Sequence, residues 1–279
     1  GTDLPHYDRS LMQEDIDILS VDPWGRALDQ TVPESVGQLP ELDPENPAYI
    51  FFTSGTTGVP KAVLGSHKAL SHFLAWQRNV FNVGPRDRVA QLTSLSFDPV
   101  LRDVFLPLTS GATVCLPEEG LLPPENVLDW LEKERITILH TVPTLARAWL
   151  DGHMGNTELH ALRCVFLAGE PLTDDLVRLW RGVAGPGCQI VNLYGPTETT
   201  MVKSYYTVPV DVLPGVQPAG GPLPNTQLLV LSDRGRQCGV GELGHIAIRT
   251  PFRTLGYLNN PDETAKRFVR NPFRDDERD

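Results

Sequence analysis

Cysteine is scarce in this 279-residue chain, and its four copies, Cys115, Cys164, Cys188 and Cys238, form no CxxC pair. Three of them sit in apolar runs, so neither a disulfide framework nor a zinc site is expected, and a reducing cytoplasm suits the sequence. Basic charge is in deficit too: 24 Lys and Arg against 35 Asp and Glu give a net charge of −11. That balance excludes a non-specific nucleic-acid or anionic-membrane binder, which needs clustered cations. It leaves room for an enzyme that gathers its few basic groups at one anionic ligand. No apolar run approaches the ~18 residues that span a bilayer, and the polar, acidic N-terminus has no signal-peptide pattern. Internal repeats and low-complexity segments are absent. No Ser-His-Asp arrangement is readable either. His67 and His72 fall about one helical turn apart and read as packing or surface residues, while His153 and His160 lie in a polar loop and receive no role.

What is present is ordinary in bulk: 41% apolar and 21% charged residues, enough to bury a large core. Residues 1–47 are rich in Pro, Asp and Glu with weak periodicity, and read as a linker or a truncated N-terminal remnant. From 48 to 200 short β-rich runs (48–53, 88–93, 112–116, 136–140, 163–168, 189–193) alternate with helical spacing, for example Leu70, Phe73 and Leu74, or Val127, Leu128 and Leu131. Thr173 is a plausible N-cap for a helix over 173–183. Such alternation predicts an α/β fold, with a largely parallel sheet flanked by helices. Over 201–279 the β-rich segments 201–208, 227–231 and 243–248 are separated by Pro and Gly, with a hairpin turn at Ser232–Gly235. This stretch predicts a smaller antiparallel β-subdomain.

Thr53-Ser54-Gly55-Thr56-Thr57-Gly58-Val59-Pro60-Lys61 follows an apolar strand directly. Its glycines reach conformations closed to other residues. Hydroxyls and backbone N–H groups can then surround phosphate oxygens, with Lys61 adding charge. The spacing is not that of a GxxxxGK[ST] P-loop. With the preceding Tyr49-Ile50-Phe51-Phe52 and the following Ala62-Val63-Leu64, the segment resembles the phosphate loop of the adenylate-forming superfamily, which includes acyl- and aryl-CoA ligases, luciferases and peptide-synthetase adenylation domains. Three further matches follow in order. Phe97-Asp98-Pro99 stands where amino-acid-activating members carry Phe-Asp. Asn192-Leu193-Tyr194-Gly195-Pro196-Thr197-Glu198-Thr199-Thr200 is similar to the adenine- and metal-binding segment. Gly241-Glu242-Leu243 and Gly256-Tyr257-Leu258-Asn259, with Pro261, Glu263, Thr264 and Phe268, resemble the motif that closes the large N-terminal domain.

The resemblance implies ATP and Mg²⁺ as cofactors, with Thr53, Ser54, Gly55, Thr56, Thr57, Gly58 and Lys61 around the phosphates. It implies that Tyr194 stacks on adenine, Asn192 hydrogen-bonds its edge, Gly195 shapes the turn, and Thr197 contacts the α-phosphate. Glu198 would hold Mg²⁺, a hard cation that favours oxygen ligands. Gly169 and Glu170, in the turn Ala168-Gly169-Glu170-Pro171, would form the opposite wall. The implied reaction is attack of a substrate carboxylate on the α-phosphorus of ATP, giving an acyl-adenylate and pyrophosphate, with Lys61, Thr197 and Glu198 as the catalytic set. Its implied partners are an amino acid, a peptidyl carrier protein with its phosphopantetheine thiol, and a C-terminal lid domain in the parent protein, in secondary metabolite biosynthesis. Family members usually have well over a hundred residues before the phosphate loop, against about fifty here. The family's ribose aspartate and lid lysine would lie beyond Asp279. An isolated fragment is therefore expected to turn over weakly or not at all.

Three functions compete: a peptide-synthetase-type adenylation core, an acyl- or aryl-CoA ligase, and a catalytically incompetent nucleotide-binding fragment. Asp98 discriminates between the first two, because a buried carboxylate suits an ammonium group and penalises a plain fatty acid. Asp98 can also act as an N-cap, with Pro99 at the first helical position. By resemblance the acyl pocket is lined by Asp98, Pro99, Arg102, His140, Phe166, Ala168, Leu193, Met201 and Val202. Arg102 lies one helical turn after Asp98, and the set is similar to the pocket of fungal α-aminoadipate reductases. An acidic side chain is one reading, since Arg holds carboxylates bidentately. The other reading is that Arg102 pairs with Asp98 or Asp103 and never meets substrate.

Overall fold

In the computed structural model, residues 41–274 are described apart from 54–59, 119 and 121. Most of the 1–47 segment, and its reading as a linker, therefore lie outside the described residues. The first strand, β1 (Pro47–Thr53), pairs antiparallel with β2 (Lys61–Ser66), Thr53 opposite Lys61. The alternating pattern of the sequence suggests instead that residues 48–53 open the parallel sheet. The structure corrects that placement. Parallel neighbours need a crossover of a dozen or more residues, and the link from Thr53 to Lys61 is shorter.

Helix α1 (His67–Val80) begins at Ser66, whose hydroxyl accepts from the Ala69 N–H at 3.4 Å. Then β3 (Arg88–Ala90), α2 (Val100–Ser110), β4 (Thr113–Cys115), α3 (Val127–Lys133), β5 (Ile138–Thr141), α4 (Pro143–Gly152), β6 (Cys164–Ala168), α5 (Asp174–Ala184) and β7 (Gln189–Tyr194) follow in strand–helix alternation. Strands β4, β3, β5, β6 and β7 lie side by side and parallel. β8 (Ser204–Thr207) and β9 (Gly221–Pro222) extend the same sheet antiparallel. Helix α5 begins after Thr173, as its sequence suggests. Two short sheets complete the fold. β10 (Gln227–Leu231) pairs with β11 (His245–Arg249), and β12 (Gly256–Tyr257), just before α6 (Pro261–Arg267), pairs with β2. The tight turn at Ser232–Gly235 leads to an isolated bridge between Leu231 and Gln237, with the return strand β11 further on. Strands from both sides of residue 200 thus share the main sheet and the β1–β2–β12 sheet.

The two faces of the main sheet follow the strand alternation of period two. Leu139, Val165, Leu167 and Ile190 face α3, α4 and α5, where Leu128, Leu131, Trp149 and Trp180 are buried. Ile138, Cys164, Phe166, Val191 and Leu193 face α1 and α2, packing with Phe73, Trp76 and Leu106. A sheet covered on both faces explains the near-continuous apolar runs in β5 to β7. His140, Ala168 and Leu193 lie at or next to the carboxyl ends of these strands and Phe166 midway along β6, on the α1/α2 side. Open α/β sheets bind ligands at those ends.

Candidate nucleotide and acyl site

The loop from Gly195 to Lys203 is the centre of the site, and its path leaves little freedom. Lys203 N–H donates to the Tyr194 carbonyl at 2.8 Å, closing the loop where β8 turns back along β7. A Cβ on Gly195 would sit 2.4 Å from the Met201 carbonyl oxygen and 2.7 Å from the Val202 Cα. Both are backbone atoms that cannot yield, so only glycine fits. Gly195→Ala is expected to destabilise the chain by about 3 kcal/mol. Gly182→Ala, in α5 with nothing within 4 Å of the added Cβ, should instead stabilise by ~0.5–1 kcal/mol. Urea midpoints of the two variants check this pair.

Thr197–Thr199 form one 3-10 turn, after which Thr200 and Met201 take φ of 65° and 59°. A β-branched residue rarely adopts that left-handed conformation. Thr200 is held in it by neighbours: its N–H reaches the Thr197 carbonyl at 3.0 Å, and the Tyr49 hydroxyl donates to its Oγ1 at 3.0 Å. Tyr49 reaches it from β1 because Gly65 on β2 leaves room for its ring. Burial pushes the Tyr49 hydroxyl up to about 12, and the nearby Asp98 adds to the shift.

Glu198 is fixed at two points. Its carbonyl accepts from Thr254 N–H (3.1 Å) and Thr254 Oγ1 (2.6 Å), and its Oε1 accepts from the Tyr257 hydroxyl at 2.5 Å. Lys61 opens β2, and its Nζ lies 2.5 Å from Glu263 Oε2 and 5.4 Å from the centre of the Tyr257 ring. Lys61, Glu198, Tyr257 and Glu263 therefore form one charged group. Ser54, Gly55, Thr56, Thr57 and Gly58 lie outside the described residues. Thr53, at the end of β1, is opposite Lys61.

Around the remaining wall, Asn192 is buried in β7, and its Nδ2 donates to the Pro218 carbonyl at 2.8 Å and the Gln217 carbonyl at 3.4 Å. Both contacts tie β7 to the 217–218 backbone. Tyr194, one residue beyond Leu193, is half-buried. Gly169 takes φ +85°. The Glu170 carboxylate accepts from the N–H and hydroxyl of Thr144, at 2.8 and 2.6 Å, at the start of α4. Glu170 thus serves that helix terminus.

Asp98 precedes α2, where Pro99 is the cap residue and no side chain caps the helix, so the N-cap role weighed for Asp98 is not the one it plays. Its half-buried carboxyl instead stands near the Thr197 side chain. Burial pushes its pKa up, opposed by Thr197 and the Arg102 guanidinium and reinforced by Glu198. Such a carboxylate has room for a further counter-charge, and it stands beside the loop that carries Glu198. Arg102, His140, Phe166, Leu193, Met201 and Val202 are buried together on the α1/α2 side of the sheet, with Ala168 packed against them. Pro99 is half-buried beside Asp98.

Asp103, which the sequence suggests only as an ion partner for Arg102, organises the polar part of this cluster. It is fully buried, and its Oδ2 accepts from Thr93 Oγ1 at 2.5 Å. Its Oδ1 lies 3.0 Å from His140 Nδ1 and 3.6 Å from Arg102 Nε, neither aligned as a hydrogen bond. Gln77 Nε2 stands 2.7 Å from His140 Nε2. An amide nitrogen only donates, so His140 Nε2 accepts and the ring is neutral, its proton on Nδ1 toward Asp103. Burial, then the Arg102 charge, pulls the His140 pKa down to about 4, which agrees. The buried Arg102 Nε has no hydrogen-bond partner among the described residues. Tyr49, Tyr257 and Glu263 were legible only as letters of motifs, and nothing local in the sequence marked them as neighbours of Asp98, Glu198 and Lys61.

Outside the site, His72 stacks on Phe252 with ring centres 3.7 Å apart and meets the Pro224 carbonyl at 3.1 Å, a packing role as expected. The cysteines are all free, and no helix among the described residues is long and apolar enough to cross a membrane.

A family model described as AMP-binding enzyme matches residues 6–258. The chain is 35% identical over 256 residues to the dimodular nonribosomal peptide synthase of Bacillus subtilis, covering 88% of this chain and 10% of that protein. It is 33% identical over 246 residues to the L-2-aminoadipate reductase of Schizosaccharomyces pombe, covering 84% of this chain and 17% of the relative. The chain thus spans less than a fifth of the length of either relative. Among solved structures it superposes on the nonribosomal peptide synthetase FmoA3 with a TM-score of 0.78 and 31% identity, over 85% of this chain and 26% of that one. The α-methyl-L-serine-AMP-bound form of FmoA3 superposes at 0.74 with 30% identity, over 82% of this chain and 26% of that one.

Proposed function

The chain belongs to the AMP-binding enzyme family, and from that premise we propose that it is the ATP- and amino-acid-binding core of a nonribosomal peptide synthetase adenylation unit. The observation that carries the reading is the place of Asp98, half-buried in the acyl pocket beside Thr197 and Arg102, where burial raises its pKa. It sets an acid that Arg102 only partly compensates beside the loop proposed to meet the α-phosphate. A substrate with an ammonium group beside its carboxylate satisfies Asp98 and brings its own carboxylate toward that loop. An acyl- or aryl-CoA ligase substrate would cover the half-buried Asp98 and leave it without that counter-charge. Relatives named as a peptide synthase and an aminoadipate reductase, and an aminoacyl-AMP complex of FmoA3, support the same reading.

In the reaction a carboxylate oxygen of the amino acid forms a bond to the α-phosphorus, and the bond from that phosphorus to the bridging oxygen breaks, releasing pyrophosphate. Asp98 orients the amino acid, Thr197 meets the α-phosphate, and Tyr194 offers its ring to adenine. Lys61 exchanges Glu263 for phosphate oxygens. Positioning of this kind supplies much of the rate in phosphate-centred displacements. Among the described residues no cluster of three metal-ligating side chains exists. A lone carboxylate, Glu198, suits Mg²⁺, which takes one or two carboxylates plus phosphate oxygens. When bound, Mg²⁺ neutralises charge on the phosphates. The phosphopantetheine thiol of a carrier protein would then attack the acyl carbon, forming a thioester and releasing AMP.

The pocket also speaks to the side chain. Arg102 is buried, its Nε is without a hydrogen bond, and Asp103 stands 3.6 Å off, too far to bond it. A substrate carboxylate would satisfy that donor, so the preferred amino acid is one with an acidic side chain. An amino-acid panel tests this by ATP–pyrophosphate exchange in the longest natural protein that contains this chain. Aminoadipate, glutamate or aspartate should lead, and Arg102→Ala should cut the lead by about tenfold or more. A preference for an apolar or basic amino acid that survives Arg102→Ala would rule the acidic reading out.

A further inference from the structure

Lys61 and Glu198 carry opposite charges in one small group, yet the structure keeps them from pairing with each other. Lys61 is held by Glu263 at 2.5 Å, and Glu198 by the Tyr257 hydroxyl at 2.5 Å, with the Tyr257 ring 5.4 Å from Lys61 Nζ. A phenol can serve both sides at once, its face meeting a cation and its hydroxyl a carboxylate. We propose that Tyr257 is a positioning residue that aims Glu198 at the divalent cation, its hydroxyl fixing Oε1 and leaving Oε2 to bind. This rests on the reading of Glu198 as the cation's ligand.

The segment around Tyr257 has the rigidity such a role needs. Gly256 and Tyr257 pair with Leu64 and Val63 of β2, the strand that begins at Lys61. Tyr257 N–H donates to Thr264 Oγ1 at 2.9 Å, and the ring meets Phe268 edge-on with centres 6.1 Å apart. Gly256 takes φ +119°, and a Cβ there would lie 2.6 Å from Thr264 Cγ2. That glycine lets the chain turn tightly enough to present Tyr257. Thr254, two residues before Gly256, fixes the Glu198 backbone through its carbonyl. One short stretch therefore anchors both the main chain and the carboxylate of Glu198. Partners that orient metal ligands in this way commonly change metal affinity 10–100-fold when removed.

The test is calorimetric titration of the full chain with ATP, across a Mg²⁺ series and in EDTA, for wild type, Tyr257→Phe, Thr254→Val and Glu198→Gln. Tyr257→Phe should raise the Mg²⁺ concentration at half-maximal enhancement of ATP binding about tenfold, with ATP affinity in EDTA within about twofold of wild type. Thr254→Val removes the hydroxyl bond to the Glu198 carbonyl and leaves the carboxylate's partner in place, so it should lower the melting temperature without moving the Mg²⁺ midpoint. Glu198→Gln should lose Mg²⁺ dependence. If Glu198→Gln keeps it, the metal reading of Glu198 fails and this proposal with it. If Glu198→Gln loses it while Tyr257→Phe leaves the midpoint unmoved, only the proposal is overturned. Equal weakening by Tyr257→Phe with and without Mg²⁺ also overturns it, because that is what a structural role gives. Where Tyr257→Phe melts below the assay temperature, difluorotyrosine at position 257 is read instead. It keeps the ring and strengthens the donor, so the midpoint should fall, and an unmoved midpoint overturns the proposal.

Discussion

Glu198→Gln is expected to reduce amino-acid-dependent adenylate formation by on the order of 10²–10³-fold, the largest loss from any single change in the site. The substitution is nearly isosteric, and Oε1 of Gln can still accept from the Tyr257 hydroxyl, now found at 2.5 Å from Glu198. The two Thr254 bonds go to the backbone carbonyl and are untouched. Stability should therefore hold, with a melting temperature within about 2 °C of wild type. What is lost is the negative charge that a hard cation requires. Pyrophosphate exchange and a thermal melt on the same preparation separate the two effects. Wild-type exchange in this variant would remove Glu198 from the catalytic set.

Asp98→Ala should raise KM for the amino acid by about 30-fold or more, and by far less for the deamino analogue. Truncating one member of a desolvated charge pair costs about 2–5 kcal/mol, part of it for the partner left unpaired. The environment of Asp98 makes the case specific. Burial raises its pKa, and Thr197 and Arg102 offset that only in part. Arg102 is itself shared with Asp103, at 3.6 Å. An incoming ammonium is thus the missing counter-charge. Measuring KM for both substrates on both proteins decides the matter, and equal increases would show that Asp98 does not meet the ammonium group.

The parts of this molecule that were legible in its sequence are those written locally. Apolar runs such as Cys164–Leu167, all buried in β6, announce a strand covered on both faces. Thr173 before Asp174-Asp175 announces the start of α5. The motif around Tyr194 and Glu198 stood out as the centre of the proposed site because its residues are consecutive. The pairing of β1 was misplaced because an apolar strand looks the same in a parallel and an antiparallel sheet, and only the short link to β2 decides. The supporting contacts were harder still. Tyr257 meets Glu198 across 59 positions, and Lys61 meets Glu263 across 202. No periodicity carries such information. Asp103 stayed in the background because it follows Arg102 directly, where an ion pair of neighbours is the plain reading. Only its burial with Thr93 and His140 shows what it organises.

The proposal that this chain activates amino acids is tested most directly by ATP–pyrophosphate exchange in the longest natural protein that contains it. The assay is run with α-amino acids, with their deamino analogues and with fatty or aryl acids. Exchange is expected to require Mg²⁺ and an α-amino acid and to stay near background with the deamino compounds. Exchange supported as well by a fatty or aryl acid, or by the deamino analogue of the best amino acid, would contradict it.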